Sequence, residues 1–441
     1  MKRQPTSIAL LLLLLAAATW TLLAAFTANT YNNKTTGAVH ACAPVAKPCV
    51  FRTFIGMESF DTSRVIINPE LVEASIRNGL NWIVQAQHQN GGWGSGSHYK
   101  QAIHDPHAIP ADPASTALTA MALLRTSEKP FEGKFSHQLK KAADYLLNAV
   151  NTAPPQATNI TQLTNTQPQT KLGKNIDVIL TAQFFSNALH NLGNNPDLKK
   201  QMESALEKCI QKIQQGQDQD GGWKDGGWAP VLQSALANNA LESARDMGMK
   251  VDDKVLERSR DYQKNNYDHK TNATVTDKAA GVLLYSVSSS ARASAKEARV
   301  AKEKIVKAQK DGKLGKKDTV NVDNLVTAGF TRAEAQKYAT AYQIQGAAAE
   351  RAQDKQVMSG FGSNGGEEFL SYLMTGESLV IGGTNEWKGW YEKMSGRLIQ
   401  IQNVNGSWNG HHCITSPVFC TATCLLILSI DKDIDFLIKV K

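Results

Sequence analysis

The chain has 441 residues, six cysteines and a formal net charge of +8, from 48 Lys+Arg against 40 Asp+Glu. Hydrophobic residues at 42% and charged residues at 20% exclude a disordered or collagen-like chain and supply a large core. Six cysteines over this length exclude a disulfide scaffold, while a pI of 9.0 raises a nucleic-acid or anionic-surface reading.

Lys2 and Arg3 precede an apolar run over residues 8–26, broken only by Thr19 and Thr21. A charged start followed by an apolar stretch predicts an export segment, and the run approaches the ~20 residues that span a bilayer. Residues 1–28 therefore read as a cleaved signal peptide or an uncleaved membrane anchor. Either places the body outside the cytoplasm, membrane-anchored or periplasmic. Residues 29–67 form a polar stalk in which Cys42 and Cys49 either close a short loop or stay unpaired.

The body, residues 68–430, repeats itself. Gln87, Gly91 and Trp93, then Gln217, Gly221 and Trp223, then Gln402, Gly406 and Trp408 each spell Q-x-x-x-G-x-W. Before each lies an apolar stripe at helical spacing: Val72, Ile76, Leu80 and Ile83; Leu198, Met202, Ala205, Cys209 and Ile213; Trp387, Tyr391, Met394, Leu398 and Ile401. Asn68-Pro69 and Asn195-Pro196 open the first two stripes as an N-cap and a first-turn proline. After each Trp come a loop, a proline and a more apolar helix, with Pro230 to Ala235 matching Pro417 to Ala422 and Pro113 to Ala117 one residue shorter. A weaker fourth copy without the Trp motif begins near Asp277. A polar connector over 151–173 and a Lys/Ala-rich helical insertion over 291–360 interrupt the pattern, and 431–441 forms a tail.

These motifs resemble the repeat of squalene–hopene cyclases and protein prenyltransferase β subunits. The resemblance implies an all-α fold, an α/α toroid of helical hairpins, with helices ending at the Gln outside and helices after the Pro lining a cavity. It also implies an apolar ligand there, a lipid or an isoprenoid. The cyclases' D-x-D-D-T-A acid motif is not kept: Asp112-Pro113-Ala114-Ser115-Thr116-Ala117 retains only the first Asp. The position of the prenyltransferases' zinc-binding His is Cys420 here, without a D-x-C partner. Aromatic residues, at 7%, are lean for a pocket that holds carbocations.

The remaining candidates for chemistry are few. Asp112, Glu367 and Glu368 are the weak catalytic candidates. His98, His104 and His107 follow the first Trp and His411 and His412 the last, in loops that a closed ring makes neighbours. His104, His107, His411 and His412 are accordingly weak zinc candidates. No cofactor is otherwise expected. Asp218, Asp220 and Asp225 read as turn residues, Cys420 and Cys424 as buried small side chains, and Trp387 and Trp390 as core; Trp228 could line a lipid or glycan groove.

Residues 291–317 carry ten Lys/Arg against Glu297, Glu303 and Asp311, so seven of the eight net charges sit in one segment. That excludes a nucleic-acid partner spread over the body. It predicts a basic helix with Ala298, Ala301, Ile305 and Ala308 as its packed stripe, solvated or touching an anionic lipid or polymer. Two function classes stay open, an exported non-catalytic binding or scaffolding toroid and an enzyme on an isoprenoid or other envelope substrate. The missing acid motif favours the first.

Overall fold

Amphipathic helices alternate along the chain with helices buried on nearly every side, and that alternation builds two concentric layers. The computed structural model describes residues 69–438 apart from 225, 269–272, 361–364 and 385. The N-terminal apolar run, the stalk with Cys42 and Cys49, Asn68, Asp225 and the end of the tail lie outside the described residues. No helix among the described residues is long and apolar enough to cross a membrane.

Helix α1 (Pro69–Gln85) buries Val72, Ile76, Leu80 and Ile83 on one face. Helix α2 (Pro113–Arg125) is capped by Asp112, whose carboxylate accepts the Ser115 N–H, and buries every residue but Arg125. The alternation continues through α3 (Ser136–Thr152), the short α4 (Gln167–Leu172), α5 (Ile176–Leu189), α6 (Pro196–Gln215) and α7 (Pro230–Asp246). Helix α8 (Asp253–Lys264) leads through an antiparallel ribbon, β1 (Tyr267–Asp268) with β2 (Ala273–Thr274), into α9 (Leu283–Lys310). Then follow α10 (Val322–Thr327), α11 (Arg332–Arg351), α12 (Lys355–Met358), α13 (Gly366–Gly382), α14 (Glu386–Ile401), α15 (Pro417–Leu428) and α16 (Ile434–Leu437).

Helix α2 packs on α5, α5 on α7, α7 on α9, α9 on α13, α13 on α15, and α15 back on α2. That circuit is a closed inner ring. Helices α1, α3, α6, α8, α11 and α14 lie outside it, each against one or two inner helices. The described chain is all-α but for the small ribbon, and its contacts form the toroid of hairpins expected from the sequence.

The three Q-x-x-x-G-x-W turns hold the layers together with the same bonds. Gln87, Gln217 and Gln402 each donate to the carbonyl of their own motif glycine, at 2.8, 3.0 and 2.8 Å. Each also donates to the next outer helix, at the Gln138, Val255 and Ser75 carbonyls. Trp93, Trp223 and Trp408 are buried; their indole N–H groups donate to Ile83, Ile213 and Leu398. Their backbone N–H groups donate to the hydroxyls of Thr116, Ser234 and Thr421 on the following inner helices. Gly221, at φ +88°, shows why the position is glycine: a Cβ there would collide with the Arg258 carbonyl of α8.

One boundary is corrected. The segment expected as an insertion over 291–360 contains ring elements: α9 is one 28-residue helix whose first half is an inner helix, and α11 is an outer one. Serine and alanine rather than leucine fill this inner stretch (Ser288, Ser289, Ser290, Ala291), and no Trp turn marks it, so its sequence hides its place. At about 1.5 Å per residue α9 outruns the 17-residue α13 by roughly 16 Å. The overrun, with α10 and the start of α11, forms an arm around a separate small core of Ala301, Ile305, Leu325, Ala335 and Ala339. The expected stripe of Ala298, Ala301, Ile305 and Ala308 is buried.

Candidate functional site

The inner helices run in one direction. Tyr285 meets Glu368 at the starts of α9 and α13, Arg292 meets Glu377 further on, and Lys302 meets the Gly383 carbonyl at the end. The ring axis therefore has an amino end and a carboxyl end, and they differ chemically.

Toward the carboxyl end lies a cavity of about 310 Å³. Its lining is mixed: Leu118, Leu180, Leu236, Leu370 and Met374 from four inner helices supply an aliphatic part, and polar side chains such as Gln183, Asn187 and Asn239 share the walls. A belt of charge crosses it. Glu377 takes Arg125 at 2.7 Å and Arg292 at 3.1 Å, Asp433 takes Arg125 at 2.9 Å, and Lys296 pairs with Asp246. Despite burial, the two guanidinium groups hold the Glu377 carboxyl below its usual range. Burial pushes Asp433 up against the opposing pull of Arg125. Arg292 is only 5% exposed, and its Nη1 has no hydrogen-bond partner among the protein atoms. The mouth is crossed by the segment holding α16, where Phe436 stands edge-on to His190 with ring centroids 5.0 Å apart. The basic arm rises at this same end. Two of the ten cations expected on a solvated helix, Arg292 and Lys296, instead belong to the cavity belt.

The amino end gathers buried acids. Asp112 accepts from Ser95 N–H, Ser115 N–H and the Ser115 hydroxyl, so this candidate serves as the cap of α2, and burial raises its carboxyl. Asp177, in the first turn of α5, was not among the sequence candidates. It accepts from the Ile160 and Val178 N–H groups, and burial lifts it to about 7. A lone acid in the apolar run of α5 is the one signal the sequence offered. Glu367 and Glu368 are both buried in the first turn of α13, and Tyr285 Oη donates to Glu368 at 2.6 Å. Burial raises the Glu367 carboxyl.

Loops of the first and last repeats meet here, as ring closure demands: Thr415 Oγ1 donates to the Gln101 carbonyl at 2.8 Å, and His98 bonds the Cys413 backbone. The histidines themselves sort differently from expectation. His107 bonds the Gln85 carbonyl and packs near His88, while His104 and His411 are exposed. Only His412 of the four zinc candidates joins a converging set. Among the described residues, Glu367, His412 and Cys413 form the one group of three or more ligand-type side chains, with ligand atoms within 4.8 Å of one another. Short loop segments on either side of an imidazole carry too little local geometry to reveal this from spacing.

Other expectations are met plainly. Cys420 and Cys424 are buried thiols, and Trp390 is core. Trp228 is 42% exposed under the Lys171 ammonium, 4.7 Å from its ring.

No protein-family model matches the sequence, and no curated protein sequence does. Among solved structures, the apo form of the type II terpene cyclase MstE from Scytonema aligns with this chain. The alignment covers 83% of this chain and 99% of that one, at 12% identity and a TM-score of 0.32. An overlap that loose carries no argument about chemistry. The closed ring of helices stands on its own contacts.

Proposed function

We propose that the toroid is a non-catalytic receptor for a lipid of isoprenoid or fatty-acyl type, held in the central cavity. The chain of the ligand lies on the aliphatic part of the wall, and its head accepts a hydrogen bond from Arg292. The observation that carries this reading is the pairing of the aliphatic part of the chamber wall with a buried guanidinium nitrogen that no protein atom satisfies. A buried donor left unpaired costs about 1–3 kcal/mol, which a ligand acceptor would recover. The carboxylates lining the chamber are each paired with Arg125, Arg292 or Lys296, although burial pushes Asp433 up. The apolar N-terminal segment would display this receptor on the outer side of a membrane, or release it there.

The test is extraction and mass spectrometry of apolar molecules from the purified full-length chain. A Met374→Trp variant, which fills the chamber, should keep its helical circular dichroism and lose the bound lipid. Recovery of equal lipid from the filled variant, or of none from the wild type, would overturn the reading.

A further inference from the structure

At the opposite end of the ring, some 15 Å from Glu377 along α13 at 1.5 Å per residue, stands a cluster that the cavity does not use. The ligand atoms of Glu367, His412 and Cys413 lie within 4.8 Å of one another. Glu367 comes from the first turn of α13, and His412 and Cys413 come from the loop before α15, two inner helices packed side by side. We propose that these three side chains bind a single divalent ion of the zinc class.

Four observations converge on it. The first is the donor set: one carboxylate, one imidazole and one thiol suit a borderline ion, and three protein ligands leave a fourth tetrahedral position open. Bonds of about 2.0–2.3 Å separate tetrahedral ligands by roughly 3.5 Å, so closure needs side-chain movements of about an ångström. The second is an orphan. Glu367 is 1% exposed; its carboxylate takes the Cys413 thiol, and its Oε2 accepts from Ile414 N–H at 3.3 Å, but its Oε1 has no hydrogen-bond partner. The third is backbone strain: Cys413 sits at φ +61°, a left-handed conformation rare for a residue with a Cβ. In this conformation the Cys413 thiol hydrogen-bonds Glu367 and the Cys413 backbone bonds the His98 ring. The fourth is a second carboxylate beside the imidazole. Glu368, which accepts from Tyr285 at 2.6 Å, lies 3.9 Å from His412 Nε2, within ion-pair range but beyond a hydrogen bond.

Charge fits as well. A thiolate and a carboxylate cancel the two positive charges of the ion, so the bound site is neutral in a largely buried place. Binding displaces the Cys413 thiol proton, and the carboxyl proton when Glu367 holds one, to solvent. None of the three stands where the prenyltransferase resemblance would put a ligand, at Cys420, whose side chain is fully buried in α15.

The experiment uses the full-length chain, stripped with chelator and titrated with zinc and with cobalt(II). The expected result is about one equivalent of zinc per chain and a sulfur-to-cobalt charge-transfer band. The band should vanish in Cys413→Ser, and affinity should fall about tenfold or more in Glu367→Gln. A second readout avoids any folding defect of the variants. Cys413 is the one partly exposed cysteine among those described, so zinc should protect it from maleimide in the wild type, read by peptide mass mapping. Failure to bind an equivalent of zinc, a band that survives in Cys413→Ser, or unchanged labelling of Cys413 would each overturn the proposal. The trio would then be a thiol–carboxyl hydrogen bond beside an imidazole.

Discussion

At Gln402 one carboxamide satisfies two backbone carbonyls, and its oxygen takes the Ser75 hydroxyl at 2.8 Å. Gln402→Leu strands all three groups in a buried place and should cost about 2–4 kcal/mol in urea unfolding. Gln87→Leu, at a half-buried turn, should cost less. Asp177 makes a different prediction, about pH. Its folded-state value near 7 lies above the ~3.9 of an unfolded Asp, so between about pH 4 and 7 the folded chain holds a proton the unfolded chain has lost. Stability from this residue is present below pH 4 and falls as pH rises through 7. A pH series of unfolding titrations should show the wild type losing a few kcal/mol relative to Asp177→Asn across that window. Glu242 and Glu377, held low by arginines, slope the opposite way, but equally in both proteins. The Gln–Gly–Trp turns are legible in the sequence because the bonds that define their shape, Gln to glycine and indole to the preceding helix, close within ten residues. The Glu367–His412–Cys413 trio is not, since 45 residues separate Glu367 from its partners and no spacing rule spans them.

The arm is the element that departs most from sequence expectation. Periodicity finds the stripe of α9 but cannot say that one helix leaves the ring's core and enters another. The inner half is coded by small polar residues, and only neighbours across the ring show that Arg292 and Lys296 face the cavity. Because the arm has its own core, Ile305→Ala should loosen it alone. A loss of about 2–4 kcal/mol is expected there, read as faster amide exchange over 301–339 with unchanged protection in α2 and α5. At the cavity mouth, Phe436→Ala removes the ring that stands against His190. It should speed exchange of a bound fluorescent lipid without lowering the amount bound, measured by stopped flow.

Across the whole molecule, the charged belt and the ring circuit act together. Glu377 joins Arg125 of α2 to Arg292 of α9, two inner helices that are not neighbours in the ring circuit, so the belt braces the cavity across its width. Glu377→Gln leaves two buried guanidinium groups short of a counter-charge and should destabilise by about 3–5 kcal/mol in thermal or urea unfolding. The toroid itself follows from the repeat, but its closure is a tertiary fact. Gln402 reaches Ser75 over 327 positions, and Gly406 lies against Asn78 of the same helix. Until that last clasp emerges from the ribosome, the growing chain is an open crescent with the seats for α14 and α15 bare on α1 and α2. Each such molecule has a period during synthesis in which a second crescent could take those seats. Aggregation in this protein should therefore be governed by how quickly its final hairpin arrives, and a separately supplied copy of residues 386–430 should rescue chains stalled before it.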